Sequence, residues 1–102
     1  MITIKIAQEE RQLDTVDEQW INQQINRRRA DGQSVCVRVT VREGGLDMVL
    51  STPNCTISVG AGRPPRPQEK EVFDLWNQRG LNDVNFTSGN LVAFLKQLKR
   101  LL

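Results

Sequence analysis

The stretch from Val35 to Arg42 alternates apolar and polar residues, and the pair Gly44-Gly45 follows it closely. Strict alternation is the pattern of a strand with one buried face. A Gly-Gly pair suits a two-residue hairpin loop, because glycine adopts the positive φ angles that such loops need. The sequence therefore predicts a β-hairpin whose two strands are joined at Gly44-Gly45.

The turn also predicts the register of the hairpin. If its flanking residues face each other, the valines of the first strand lie on the same side as Met48 and Leu50 of the second, and this side is the core. Arg38 and Arg42 then lie on the opposite, solvent-facing side. The predicted cross-strand pairs are Glu43 with Leu46, Arg42 with Asp47, Val41 with Met48, Thr40 with Val49, Val39 with Leu50, and Arg38 with Ser51.

The other elements are predicted from periodicity and end signals. Thr15 and Glu18 have capping-box spacing for a first helix. Pro67 suits the first position of a second helix, which ends at a left-handed Gly80, and Thr87 or Ser88 caps a third. The predicted strands are Ile2–Ile6, Ser34–Glu43, Leu46–Thr52 and Cys55–Val59, and the predicted helices are Val16–Ala30, Pro67–Arg79 and Ser88–Leu101.

These elements have the order β-α-β-β-β-α-α and predict an α+β fold. With 102 residues the chain is one domain, residues 1 to 102, large enough to fold without metals or disulfides. We expect a two-layer sandwich, with a mostly antiparallel four-stranded sheet and three helices on one face. The position of the first strand in the sheet does not follow from the sequence.

The segment Gly60-Ala61-Gly62-Arg63 resembles a phosphate-binding loop only in its glycines. The residues after it are Pro64, Pro65, Arg66 and Pro67, and proline has no N–H to offer a phosphate. The lysine and hydroxyl residue of a P-loop are missing. We therefore interpret the segment as a stiff connector from sheet to helix. The alternative is that the same rigid segment, with Arg63 and Arg66, is a contact surface.

The composition argues against catalysis. The chain has no histidine and no tyrosine, and its two cysteines are expected to be reduced thiols without a base. A carboxylate-dependent enzyme is the weakest alternative, because helix capping and solvation account for the acidic residues in question. No cofactor or metal is expected. The acidic residues are Asp14, Asp17, Glu18, Glu69, Glu71 and Asp74.

Nucleic-acid binding is the first alternative among binding functions. Its basis is the Arg- and Gln-rich helix over residues 16 to 30, whose side chains suit phosphates and base edges. Two observations argue against nucleic-acid binding. The net charge is only +2, and the helix dipole favours basic residues at a helix C-terminus whether or not they bind a ligand. The candidate contacts are Arg27, Arg28, Arg29, Arg38 and Arg42.

A non-catalytic protein-interaction module, or a small subunit or adaptor of a larger bacterial-type assembly, is the preferred interpretation. The last helix has more large apolar residues than one stripe buries, so a second copy or another protein is expected to cover the rest. We expect a cytoplasmic chain, because no apolar run crosses a membrane and no signal peptide is evident. The predicted contact residues are Arg63, Arg66, Val92, Lys96 and Lys99.

Overall fold

The computed structural model describes residues 1–55 and 66–102. Most of the predicted strand Cys55–Val59 and most of the connector lie outside these residues, and Cys55 itself is not in a strand. The strands are β1 (Ile2–Ile6), β2 (Glu9–Gln12), β3 (Val37–Glu43) and β4 (Leu46–Ser51), and the helices are α1 (Glu18–Ala30), α2 (Pro67–Gln78) and α3 (Ser88–Leu101).

The four strands form one antiparallel sheet in the order β2-β1-β3-β4. All six predicted pairs between β3 and β4 are confirmed, from Glu43 opposite Leu46 to Arg38 opposite Ser51. The turn between them has φ angles of +63° at Gly44 and +83° at Gly45, which only glycine adopts readily. The first strand, whose place was open, pairs with both β2 and β3.

The strand β2 was not predicted. All four of its residues are exposed, and they carry no apolar alternation that would indicate a strand. It forms because the chain turns back after β1 through Ala7, whose N–H donates to Cys36 O at 2.9 Å and whose φ is +55°. The described elements therefore have the order β-β-α-β-β-α-α, and the α+β class is confirmed.

The helices lie on one face of the sheet, and the core lies between the two layers. α1 packs on β1 and α2 packs on β4, while α3 packs against both of these helices. The inward residues of β3 and β4 are buried as predicted, with Val39 fully buried and Leu50 2% exposed. Together with Ile4, Trp76 and Phe94 they belong to one continuous apolar core.

Three of the four predicted helix-end signals are present, among them Pro67 at the start of α2. Gly80 has a φ of +68° and the Leu81 N–H donates to Trp76 O at 3.2 Å, which is the Schellman ending expected for α2. The Thr87 hydroxyl accepts from Asn90 N–H at 3.1 Å and caps α3. The prediction of a capping box at Thr15 is wrong, because α1 begins at Glu18 and the side chain of Asp17 caps it.

We predict unequal effects of two neighbouring alanine substitutions in the hairpin. Leu50→Ala removes a buried side chain and should lower the free energy of unfolding by about 2 to 5 kcal/mol. Thr40→Ala, on the outer face, should lower it by about 1 kcal/mol or less. Urea denaturation of both variants measures the difference, and equal losses would contradict the assignment of the two faces.

Candidate functional site

α2 and α3 are held side by side by aromatic and polar contacts. The rings of Trp76 and Phe94 meet edge to face with centroids 5.1 Å apart, and the indole N–H of Trp76 donates to Asn82 Oδ1 at 3.0 Å. Arg79 Nε donates to Gln97 Oε1 at 2.9 Å across the two helices. The spacing of the pair is therefore fixed by side chains that are themselves packed or hydrogen-bonded.

The two helices run antiparallel, because the β3–β4 turn lies beside the start of one and the end of the other. Arg66, just before α2, donates to Gly45 O at 3.3 Å. Leu102, just after α3, lies close to Gly44, where a Cβ would come within 3.6 Å of the leucine Cδ2 atom. Both contacts place these helix ends at the same end of the sheet.

A surface groove of about 470 Å³ lies between α2 and α3. Leu75 and Leu101 supply its apolar part, and Leu101 is 42% exposed. The groove is also lined by charged groups of opposite sign, with Glu71 and Asp74 on α2 and Arg100 on α3, and by two glutamines, Gln78 and Gln97. None of these three charged groups forms an ion pair within the described part of the chain.

The predicted contact residues do not form one surface. Arg63 lies outside the described residues, and Val92 is buried at 4% exposure, so its predicted place on an exposed edge is wrong. Lys96 Nζ pairs with Glu18 Oε2 at 2.8 Å, and Lys99 donates to the carbonyl of Asp14.

Both lysines thus face the start of α1, whereas Arg66 lies just before α2, on the other side of α3. The reason is that α3 packs between α1 and α2, and therefore buries a wider face than a single stripe. The groove that α2 and α3 do form was not predicted.

The candidate nucleic-acid contacts are divided between the two layers. Arg28 donates to Gln24 O at 3.0 Å, and the guanidinium of Arg29 lies 4.5 Å from the ring centroid of Phe86, so both are engaged within the helix layer. Arg27 is exposed on α1.

The sheet arginines lie on the outer face. There Arg42 pairs with Asp47 at 3.4 Å, as the register predicted, while Arg38 is half-buried. The structure therefore does not combine the five arginines into one basic surface.

Cys36 and Cys55 form a disulfide with a Cα–Cα distance of 4.8 Å, so the expectation of reduced thiols is wrong. The predicted pairing of β3 with β4 already indicated that the two cysteines lie close together. Arg38 faces Ser51, which brings the residues before β3 close to those after β4, and the Thr52 N–H donates to Val37 O at 3.0 Å. A short turn at Pro53 and Asn54 then returns Cys55 to Cys36.

One predicted surface carboxylate is buried. Glu69 is 3% exposed and its Oε1 accepts from the Arg66 N–H at 3.2 Å, at the start of α2. The helix dipole favours a negative charge there, as the sequence indicated, but the burial was not expected. The other five carboxylates are exposed or half-buried.

Comparison with known proteins gives no matching family model, no similar curated protein and no similar solved structure. Among residues 1–55 and 66–102, no three His, Cys, Asp or Glu side chains are grouped so that they could hold a metal ion. No helix in this part of the chain is long and apolar enough to cross a membrane.

We predict that the disulfide contributes about 3 kcal/mol to the free energy of unfolding. It joins residues 19 positions apart, and a cross-link of this length restricts the unfolded chain by about that amount. Urea denaturation of the oxidised protein and of the Cys36→Ser/Cys55→Ser variant gives the difference. A difference near zero would contradict a stabilising cross-link.

Proposed function

We propose that this chain is a non-catalytic protein-interaction module that pairs with a second copy of itself through the α2–α3 groove. The observation that carries the proposal is the groove itself, in which exposed leucine surface lies between an acidic helix and a basic one. Apolar centres with a charged rim are typical of protein interfaces.

The absence of common catalytic groups supports a non-catalytic role. The chain has no histidine and no tyrosine, and a disulfide occupies both cysteines. Neither thiol is therefore a nucleophile in the oxidised protein. The carboxylates that line the groove, Glu71 and Asp74, are accompanied by Arg100 and apolar side chains, an arrangement that suits recognition.

Charge complementarity favours a second copy as the partner. A two-fold axis through the groove places α2 of one protomer against α3 of the other. Glu71 and Asp74 of each copy then face Arg100 of its partner, and the apolar surfaces of Leu75 and Leu101 meet near the axis. Because none of these charges is paired within the described chain, dimerisation breaks no existing ion pair among them.

The same proposal extends to a subunit or adaptor of a larger assembly. A homodimer leaves its surfaces outside the groove free, in two copies, to bind further partners. The predicted cytoplasmic location stays a prediction. The Cys36–Cys55 disulfide weighs against it, because such bonds persist mainly in oxidising compartments.

We predict that the charge reversal Arg100→Glu weakens the dimer about tenfold or more, because it places three acidic groups in each half of the interface. Adding Glu71→Arg and Asp74→Arg to the same chain should restore the affinity by exchanging the two signs. Sedimentation equilibrium over a range of protein concentrations measures each dissociation constant. Arg27→Glu, an exposed arginine on α1, is the matched control and should have no effect.

A second pair of variants separates apolar contact from charge. Leu101→Ser should weaken the dimer, whereas Val84→Ser, which changes a residue of similar exposure outside the groove, should not. A protein that remains monomeric at high concentration, or a dimer equally sensitive to both serine substitutions, would contradict the proposed interface.

A further inference from the structure

A cleft of about 340 Å³ opens on the outer face of the sheet, beside the disulfide and away from the helices. Lys5 of β1 and Arg38 of β3 line it, and Gln8, Ser34 and Asn54 add neutral polar groups from three loops. The disulfide forms part of its wall through Cys36. The cleft is therefore rich in hydrogen-bond donors and has two positive charges.

Lys5 and Arg38 are direct cross-strand neighbours. Two like charges in this position repel each other and destabilise a sheet, unless an anion lies between them. Glu10 is opposite Lys5 on β2, yet neither it nor any other described carboxylate comes within 4.0 Å of either cation. Within the described chain the charge of the pair is thus left without a partner.

Arg38 also carries an unused donor. Its Nε atom is buried and has no hydrogen-bond partner, and the same holds for Ser51 Oγ at the facing position of β4. Buried polar groups are nearly always hydrogen-bonded, so Arg38 is a side chain whose hydrogen-bonding capacity the described chain does not fill. The Nε atom itself is not open to the cleft, so Arg38 offers a ligand there the positive charge of its guanidinium, next to that of Lys5.

The disulfide and a hairpin hold the neutral donors near the cations. Asn54 directly precedes Cys55, so the bond to Cys36 fixes it beside the start of β3. Gln8 follows Ala7, whose N–H donates to Cys36 O at 2.9 Å. The donors therefore come from separate loops that are tied to the same cysteine.

We propose that this cleft binds a phosphate group, either free or as a phosphate monoester. Such a group carries close to two negative charges at neutral pH, which matches the two cations, and its oxygens accept several hydrogen bonds at once. Arginine suits it because its planar donors contact two oxygens together, and lysine adds a point charge. The site lies in the other layer from the α2–α3 groove and does not depend on dimerisation.

Thermal unfolding and ¹H–¹⁵N NMR with inorganic phosphate and with methyl phosphate test the proposal, at ionic strength held constant with sodium chloride. We expect saturable stabilisation, and amide shifts centred on Lys5, Ser34 and Asn54. Lys5→Gln and Arg38→Gln should each raise the dissociation constant about tenfold or more, with a smaller rise for Arg38→Lys.

Arg42→Gln is the matched control, because Arg42 lies on the same face and strand but outside the cleft, and it should leave binding unchanged. Circular dichroism confirms that each variant is folded. Tighter binding of methyl phosphate than of inorganic phosphate would identify an ester as the ligand, and the reverse order would identify free phosphate. No saturable binding, an equal loss in Arg42→Gln, or tighter binding of the dicarboxylate succinate would overturn the proposal.

Discussion

The Gly44-Gly45 turn fixes β3 against β4, and the rest of the structure depends on that register. The turn residues have φ angles that other residues adopt only with strain. A shift of β4 by one residue would turn Leu50 to the outer face and Val49 toward the core, while Val39 stayed buried on β3. In the observed register the inner face of the sheet is a continuous apolar surface on which α1 and α2 pack.

Local signals predicted the parts of the fold that local chemistry determines. The hairpin, the Schellman ending at Gly80 and the Thr87 cap each depend on residues within a few positions of one another, and all are present. The strand β2 depends instead on hydrogen bonds to β1, and its exposed residues show no apolar pattern. Predicting the Cys36–Cys55 bond would likewise have required extending the predicted β3–β4 register beyond the ends of the two strands.

The candidate sites were harder to predict, because they depend on which faces the helices bury. The apolar surplus of α3 predicted an exposed edge, yet Val92 is buried where α3 packs beside its neighbours. The exposed large apolar residues are instead Leu101 and Leu102 at the C-terminal end of this helix, 42% and 39% exposed. Sequence periodicity gives the width of an apolar face but not the number of elements packed against it.

The β3–β4 hairpin also relates the α2–α3 groove to the cleft on the outer face of the sheet. Its turn end accepts a hydrogen bond from Arg66 and lies close to Leu102, so the α2–α3 pair lies beside it. At its other end, the disulfide joins the residue before β3 to the segment after β4, and polar loop residues lie near Arg38 on the outer face. Because the inward residues of both strands are fully packed, the outward residues carry little of the core energy and are free to serve recognition. A basic cleft is thus compatible with stability on one side of a sheet whose other side holds the core.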